Sequence, residues 1–415
     1  MTVAQLAGAN TLRRIRIRRA RADVAPMTTT AALLVGSSGM LLAGGLMMIL
    51  SASWVSAYQR YGSSFLFFQR QLMWTVGGLC AMYVFSRVDY RKLRGFGYLL
   101  LAGSYLGMIA VLIPGVGTTA GGSTRWLVFG PMRVQPSELA KLALVIVAAD
   151  ICTRKTPKRL RTIKDVMMPL GVIACLGAGL VMLQPDLGTT LIMGGIIYGV
   201  LFVAGTSGRT LSVLGVAGVG ATILLSLSEG YRRARLLSFF NPFSDPLNNG
   251  YQAVQAQIAL GSGGLFGVGL GASRQKWSYV PNAHTDFIFA IIGEELGLIG
   301  TFAVIGLFGL LCYAGVRAAR RAPDVFGRIL AGGITAWVGG QAVINMGTVT
   351  GLLPITGVPL PLVSFGGSSL VFTLAALGIL INIARNERWP QRAARADATV
   401  PPDAQTQPRR RAVTR

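Results

Sequence analysis

Ten apolar runs, each roughly 17 to 25 residues long, constrain the fold of this 415-residue chain more than any other feature. A helix of about 20 apolar residues is long enough to cross the hydrocarbon core of a bilayer. Only 13% of the residues are charged, whereas soluble domains contain about 25%. This excludes an ordinary water-soluble enzyme and an intrinsically disordered chain. The sequence predicts an all-α, polytopic integral membrane protein with about ten transmembrane helices, near residues 31–53, 68–86, 95–113, 136–152, 166–184, 187–205, 209–228, 287–316, 326–350 and 362–386.

The distribution of basic residues predicts the orientation of these helices. The first run follows an arginine-rich segment but is longer than the apolar region of a signal peptide, about 7 to 15 residues, so we expect it to be retained. With a cytoplasmic N-terminus, the inner loops are rich in arginine and lysine, and the short outer loops contain only Arg60, Arg125 and Arg133. This arrangement satisfies the positive-inside rule. An even number of helices then places both termini in the cytoplasm.

The same pattern predicts three segments. Residues 1–30 form a basic cytoplasmic tail, residues 31–386 the ten-helix membrane domain, and residues 387–415 a basic cytoplasmic tail that is expected to be disordered. Two predicted outer loops are unusual: 114–135 is rich in Gly and Thr, and 229–286 is far longer than a typical connection. Long loops on a rigid scaffold often carry function.

The formal net charge of +24 would indicate a nucleic-acid partner on a soluble chain. Here the basic residues lie between apolar runs and at the two ends, where they meet anionic lipid head groups, so we expect no nucleic-acid partner.

The four cysteines show no CxxC spacing and the chain has one histidine, which argues against a disulfide framework and a zinc site. Glycine spacings at 115–120 and 267–272 fit a relaxed dinucleotide-binding pattern, but neither follows a strand of a βαβ unit, so they indicate flexible or closely packed backbone.

Acidic residues in or at the ends of apolar runs need a partner or a function, because an unpaired charge in a membrane is costly. Glu138 and Lys141, three residues apart, can meet on one helix face. They form either an ion pair that allows the helix to insert or the polar lining of a cavity, in which Lys141 and the nearby Arg125 face an anion such as a lipid pyrophosphate. Asp186 follows a proline and precedes a glycine, which favours a helix N-cap.

The segment from Trp277 to Gly300 brings the only histidine, His284, next to Thr285 and Asp286 just before an apolar helix. Asp286 is either a plain N-cap or a partly desolvated carboxylate in an outer cleft, whose pKa is raised toward the range of a general base. Glu294 and Glu295 lie about 80° and 180° around the helix from Asp286, so we expect that they do not face one cavity and that one of them ties the helix to a neighbour.

Several long motifs at these residues resemble one known family. QPSELAK, QPDLGTT, NPFSDPLNNGYQAVQAQIALGSGGLFGVGLG, HTDFIFAIIGEELG and GLLPITGVPLPLVSFGGSS occur in this order. They resemble the SEDS proteins of bacterial shape, elongation, division and sporulation, and within them the cell-division branch. The resemblance covers about residues 31–386 and leaves the two basic tails outside.

The resemblance implies a ten-helix peptidoglycan glycosyltransferase that polymerises lipid II at the outer face of the bacterial cytoplasmic membrane, with a class B penicillin-binding protein and other division proteins as partners. Asp286 matches the essential aspartate of the family, and Arg125, Glu138 and Lys141 match its polar and basic positions. The expected substrate-binding residues are Arg125, Lys141, Glu138, His284, Thr285 and Asp186. A divalent cation, Mg²⁺ or Mn²⁺, is a possible cofactor. The alternatives are a lipid II flippase, since intramembrane charges often mark substrate pathways, and a non-catalytic division scaffold.

Overall fold

The computed structural model describes residues 27–120, 123–130, 132–156, 159–248, 250–277 and 283–388. Most of the two predicted tails, 1–26 and 389–415, lies outside the described residues. The location of the tails and the disorder expected of the C-terminal one stay predictions.

Helices dominate the described part of the chain, and each predicted span coincides with a helix. The first helix continues eight residues beyond the predicted end of its span, to Tyr61. We number them in chain order and treat the broken helix Ile163–Met182, which contains a π-helical turn at Met167–Gly171, as one element. The helices are α1 Thr29–Tyr61, α2 Leu66–Arg87, α3 Leu93–Leu112, α4 Pro136–Arg154, α5 Ile163–Met182, α6 Leu187–Ala204, α7 Gly208–Leu227, α8 Gly230–Phe240, α9 Tyr251–Ser262, α10 Ile288–Arg320, α11 Val325–Val349 and α12 Gly367–Arg385.

Eight helices in the described residues are long and apolar enough to cross a membrane, namely α1, α3, α5, α6, α7, α10, α11 and α12. The predicted spans at 68–86 and 136–152 correspond to α2 and α4, which have 22 and 19 residues but are more polar. At 1.5 Å per residue both helices still approach the thickness of the hydrocarbon core. The polytopic all-α architecture is confirmed.

The helix α4 is polar because other helices, rather than lipid, surround it. Nearly all of its residues are buried, including Glu138, Lys141 and Asp150, and it packs against α3, α6, α11 and α12. Asp150 is paired with Arg154 at 2.7 Å and accepts a hydrogen bond from Tyr98 at 3.0 Å. A charged residue is tolerated at membrane depth when it faces protein and has partners.

The predicted outer loop 114–135 contains a small antiparallel sheet that was not predicted from the sequence. Its strands are β1 Gly117–Ala120, β2 Ser123–Phe129 and β3 Met132–Val134, in the order β1-β2-β3. Thr118 lies opposite Trp126, and Val128 lies opposite Arg133. The sheet positions Arg125, which lies on β2.

The large loop 229–286 contains α8 and α9 and then a glycine-rich segment that packs against a break in α10. The break is at Gly297, with φ 65° and ψ −160°. The amides of Val268 and Gly269 donate to the carbonyls of Glu294 and Glu295, at 2.9 and 3.1 Å, and the amide of Leu298 donates to Gly264 at 3.0 Å. The segment therefore satisfies backbone groups that the break leaves unpaired. Gly267 belongs to closely packed backbone, one of the two alternatives that the sequence left open.

Glu294 and Glu295 both bind one loop, Ser273–Lys276. Glu294 accepts hydrogen bonds from the Ser273 hydroxyl and from the Arg274 amide, the latter at 2.8 Å. Glu295 lies 3.4 Å from the Lys276 ammonium and accepts from the Ser51 hydroxyl of α1. The expectation that one of the two ties the helix to a neighbour is confirmed by Glu295, which joins α10 to α1. Glu294 binds the same loop as Glu295, so the two side chains do not point to separate surroundings. The helical angles between Asp286 and the two glutamates do not describe their positions, because Asp286 precedes α10. The loop Ser273–Lys276 reaches both glutamate side chains.

Candidate active site

The main chain around Asp286 is held in place by three polar groups from the C-terminal third of the protein. The Phe365 amide donates to the carbonyl of His284 at 2.9 Å, and the Ser364 hydroxyl donates to that of Thr285 at 2.6 Å. Asn345 of α11 donates its side-chain amide to the carbonyl of Asp286 at 2.8 Å. These bonds fix the backbone and leave the Asp286 side chain at a cavity wall.

Asp286 is not the side-chain cap of α10. The N-cap position is Phe287, and no side-chain cap hydrogen bond is present. Among the described residues, the Asp286 carboxylate accepts no hydrogen bond. Of the two alternatives for this residue, the structure therefore favours a carboxylate that faces a cavity.

A cavity of about 190 Å³ lies between α6, α7, α8 and the segment 354–357, and we call it the Asp286 cavity. Charged side chains form much of its wall, and apolar and hydroxyl side chains complete it. The lining residues are Arg125, Pro185, Asp186, Leu187, Leu191, Thr222, Ser226, Arg232, Arg235, Leu236, Asp286, Pro354, Ile355, Thr356 and Gly357.

Asp186 and Arg125 form one charged unit in this cavity. Asp186 caps α6 by accepting from the Thr189 amide at 3.0 Å, so the predicted N-cap is confirmed. Its other oxygen lies 2.7 Å from the Arg125 guanidinium. The cap and the strand β2 thus hold the Arg125 cation in the cavity wall.

Burial raises the pKa of Asp286 to about 6, and the nearby negative charge of Asp186 acts in the same direction. The cations of Arg125 and Arg235 oppose this shift. The carboxylate is therefore ionised at neutral pH, yet it binds a proton more strongly than an exposed aspartate does. These are the properties of a general base that works near pH 7.

Glu138 and Lys141 do not line the Asp286 cavity. Their charged groups are 2.9 Å apart, and both side chains are buried. Lys141 also donates to Gln341 at 3.2 Å and lies over the ring of Trp337. This geometry favours the ion pair, which was one of the two alternatives. A direct contact of either residue with substrate stays a prediction.

His284 and Thr285 support the backbone of Asp286 and do not line the cavity. The His284 ring lies against Phe67 of α2, with 4.8 Å between ring centroids, and against Phe365. The main-chain carbonyls of both residues are the acceptors described above. Their expected role in substrate binding stays a prediction.

Several residues of the cavity were not predicted from the sequence, chiefly Arg232 and Arg235 of α8 and Thr356. The run Tyr-Arg-Arg-Ala-Arg at 231–235 is a cluster of three arginines in a predicted outer loop, where the positive-inside rule makes basic residues unusual. This exception to the positive-inside rule was the signal by which the two arginines could have been found in the sequence. Thr356 gave no signal, because it reaches the cavity only through the fold.

The cavity does not fit a protein-bound divalent cation. Its carboxylates are Asp186 and Asp286, and one of them is already paired with Arg125. Within the part of the chain that the structure describes, no group of three or more His, Cys, Asp or Glu side chains could hold a metal ion. All four cysteines are free.

Comparisons with known proteins agree with this architecture. The family described as cell cycle protein, FtsW/RodA/SpoVE, matches residues 32–389. The chain is 45% identical to the probable peptidoglycan glycosyltransferase FtsW of Mycobacterium tuberculosis, over 87% of this chain and 69% of that protein. It is 42% identical to the stage V sporulation protein E of Bacillus subtilis, over 86% and 97%.

Two solved structures share the fold. A chain of a peptidoglycan synthase complex, studied for how polymerization and crosslinking are coordinated, has a TM-score of 0.70 at 30% identity and covers 85% of this chain and 97% of its own. The rod shape determining protein RodA of Thermus thermophilus has a TM-score of 0.62 at 29% identity, with 85% and 96% covered. The predicted SEDS resemblance is confirmed, and this chain belongs to the FtsW, RodA and SpoVE family of cell cycle proteins.

Proposed function

We propose that this chain is a peptidoglycan glycosyltransferase that polymerises lipid II at the outer face of the cytoplasmic membrane during cell division. Relatives that are 40 to 45% identical bear the name of this activity. The observation that carries the proposal for this chain is a partly buried carboxylate, Asp286, in a cavity with three arginines. A single base beside several cations suits a glycosyl transfer that releases a pyrophosphate.

In the proposed reaction, a sugar hydroxyl of the acceptor attacks the anomeric carbon of the donor, and the configuration at that carbon is inverted. Asp286 removes the hydroxyl proton as the new C–O bond forms, in the manner of the carboxylate base of an inverting glycosidase. The bond from the anomeric carbon to the phosphate oxygen breaks, and the pyrophosphate leaves with the electron pair. Arginine cations in the cavity stabilise the charge that develops on it.

The proposed activity is tested by incubating the purified protein with labelled lipid II and resolving the products by size. We expect glycan polymer, with a higher yield when a class B penicillin-binding protein is present. That partner is proposed from the likeness to the peptidoglycan synthase complex, and it should co-purify with this chain. Absence of polymer under both conditions contradicts the proposal. Transport of intact lipid II between vesicle leaflets without polymer would support a flippase instead.

The proposed orientation places the sheet β1–β3 and the Asp286 cavity outside the cell and the connection after α4 inside. We expect Thr118→Cys to react with a membrane-impermeant thiol reagent in intact cells, and Thr156→Cys to react only after lysis. Both positions are exposed in the structure. The experiment needs a background without Cys80, Cys152, Cys175 and Cys312. Labelling of Thr156→Cys in sealed cells would reverse the orientation.

A further inference from the structure

The irregular segment 350–366, between α11 and α12, forms one wall of the Asp286 cavity through residues 354–357. Backbone without helical bonds is tolerated in a membrane protein where other protein groups bind its carbonyls. Positions 341, 345 and 348 of α11 have the spacing of one helix face, and their side chains do this for the segment. Gln341 donates to the carbonyl of Pro359 at 2.9 Å, Asn345 to that of Val358 at 2.7 Å and Thr348 to that of Pro354 at 3.2 Å.

Asn345 differs from the other two side chains because it also binds the backbone of Asp286. Its amide nitrogen donates to the Asp286 carbonyl at 2.8 Å and to the Val358 carbonyl at 2.7 Å. A side-chain amide carries two N–H groups, so each carbonyl receives one of them. Asn345 is buried, with 2% of its surface exposed. It therefore joins the chain at Asp286 to the cavity wall at Val358.

The wall segment 354–358 touches both the Asp286 carboxylate and the first turn of α6. A methyl group on Gly357 would lie 3.6 Å from a carboxylate oxygen of Asp286. A methyl group on Gly188, in α6, would lie only 2.6 Å from the carbonyl oxygen of Thr356. The segment is thus packed closely between α6 and the carboxylate, and its position sets where the carboxylate lies in the cavity.

We propose that Asn345 is a positioning residue for polymerisation, which fixes the general base against the cavity wall by bridging the carbonyls of Asp286 and Val358. This inference rests on the proposed function. A general base must lie within about 2.6 to 3.2 Å of the group whose proton it removes. A displacement of about 1 Å can lower the rate about a hundredfold. Asn345 itself is outside the cavity lining, so its effect passes through Asp286.

The chain offers a matched control, because a second buried asparagine makes the same kind of bridge far from Asp286. Asn382 of α12 donates its side-chain amide to the carbonyls of Ser86 and Val88, at 2.9 and 3.0 Å, at the end of α2. Asn345→Ala and Asn382→Ala each remove two donated hydrogen bonds. Both variants should therefore lower the melting temperature in detergent by similar amounts.

The kinetic test measures polymerisation of lipid II by each variant of the full chain, per folded molecule. Asn345→Ala should lower kcat by about tenfold or more, because the base is displaced. It should leave KM for lipid II near the wild-type value. Asn382→Ala should leave both constants near those of the wild type. Equal kcat values for the two variants would overturn the inference.

Combination with Asp286→Asn distinguishes positioning of the base from a general structural defect. A residue that acts only through Asp286 has no further effect on the rate once the base is absent. We expect Asn345→Ala to leave the residual rate of Asp286→Asn unchanged. The same fractional loss in both backgrounds would contradict the proposed role.

Hydrogen exchange tests the bridge without an activity measurement. In Asn345→Ala, the amides of residues 283–287 and 355–358 should exchange faster than in the wild type, whereas in Asn382→Ala their exchange should not change. Unchanged exchange in Asn345→Ala would show that the bridge does not hold Asp286. If Asn345→Ala yields no folded protein, Asn345→Ser retains one donor and should show the same changes at a smaller cost in stability.

Polymer formation separates failure of this inference from failure of the proposed function. If the wild type forms polymer and Asn345→Ala forms it at the same rate, the inference is wrong and the proposed function stands. If the bridge controls exchange around Asp286 but the wild type forms no polymer, the bridge holds Asp286 as inferred and the proposed reaction is wrong.

Discussion

Asp286→Asn is expected to lower the rate of glycan polymerisation by about a hundredfold or more, the usual contribution of a general base. Asparagine has nearly the same size and keeps the backbone carbonyl that accepts from Asn345. It cannot accept the proton of the attacking hydroxyl. The variant should therefore insert into the membrane, bind its partner and bind lipid II. The measurement is polymer formed per folded molecule.

The control for this variant is Asp245→Asn, which neutralises a carboxylate of the same outer loop outside the cavity lining. It should polymerise lipid II at nearly the wild-type rate. Near-equal rates for Asp286→Asn and the wild type, at matched amounts of folded protein, would remove Asp286 from the reaction. The cavity would then be a binding site whose chemistry lies elsewhere.

Gly297→Ala is expected to cause the largest loss of stability. Gly297 has φ 65° and ψ −160°, a conformation that is essentially restricted to glycine and costs other residues about 1 to 3 kcal/mol. A methyl group there would also collide with the backbone of Leu265 and Gly267. Relief of the collision would displace the glycine-rich segment from the break in α10. We expect a clearly lower melting temperature in detergent and a lower yield of monodisperse protein.

Gly306→Ala is the matched control, because this glycine lies on the same helix and a methyl group there meets no neighbouring atom within 4 Å. The melting temperature of this variant should equal that of the wild type or exceed it slightly, since alanine favours a helix. Equal melting temperatures for Gly297→Ala and Gly306→Ala would show that the segment 263–271 does not depend on the break.

The membrane architecture could be predicted from the sequence, because crossing a bilayer imposes a length and an apolarity that each run displays by itself. The pair of Glu138 and Lys141 and the cap at Asp186 could also be predicted from the sequence, since each depends on residues only three positions apart. Local patterns were sufficient for these features.

The rest depends on contacts between distant parts of the chain. The sheet that carries Arg125 forms in a glycine-rich and threonine-rich segment that reads as an irregular loop. Arg235 and Asp286 line one cavity only because the fold brings α8, α6 and the segment 354–357 to its wall. Glu294 and Glu295 both bind the loop Ser273–Lys276, because this loop lies over the turn of α10 that precedes the break. None of these contacts produces a periodic pattern in the sequence from which it could be predicted.

The pH dependence of polymerisation tests most directly whether Asp286 is the base of the reaction. The value of kcat/KM reports ionisation in the free enzyme, and the pKa of Asp286 is raised to about 6. Below that pH the carboxylate is protonated and cannot accept a proton, so kcat/KM should fall about tenfold per pH unit. Above it, kcat/KM should reach a plateau. A value of kcat/KM that stays constant from about pH 5 to 8 would contradict the assignment.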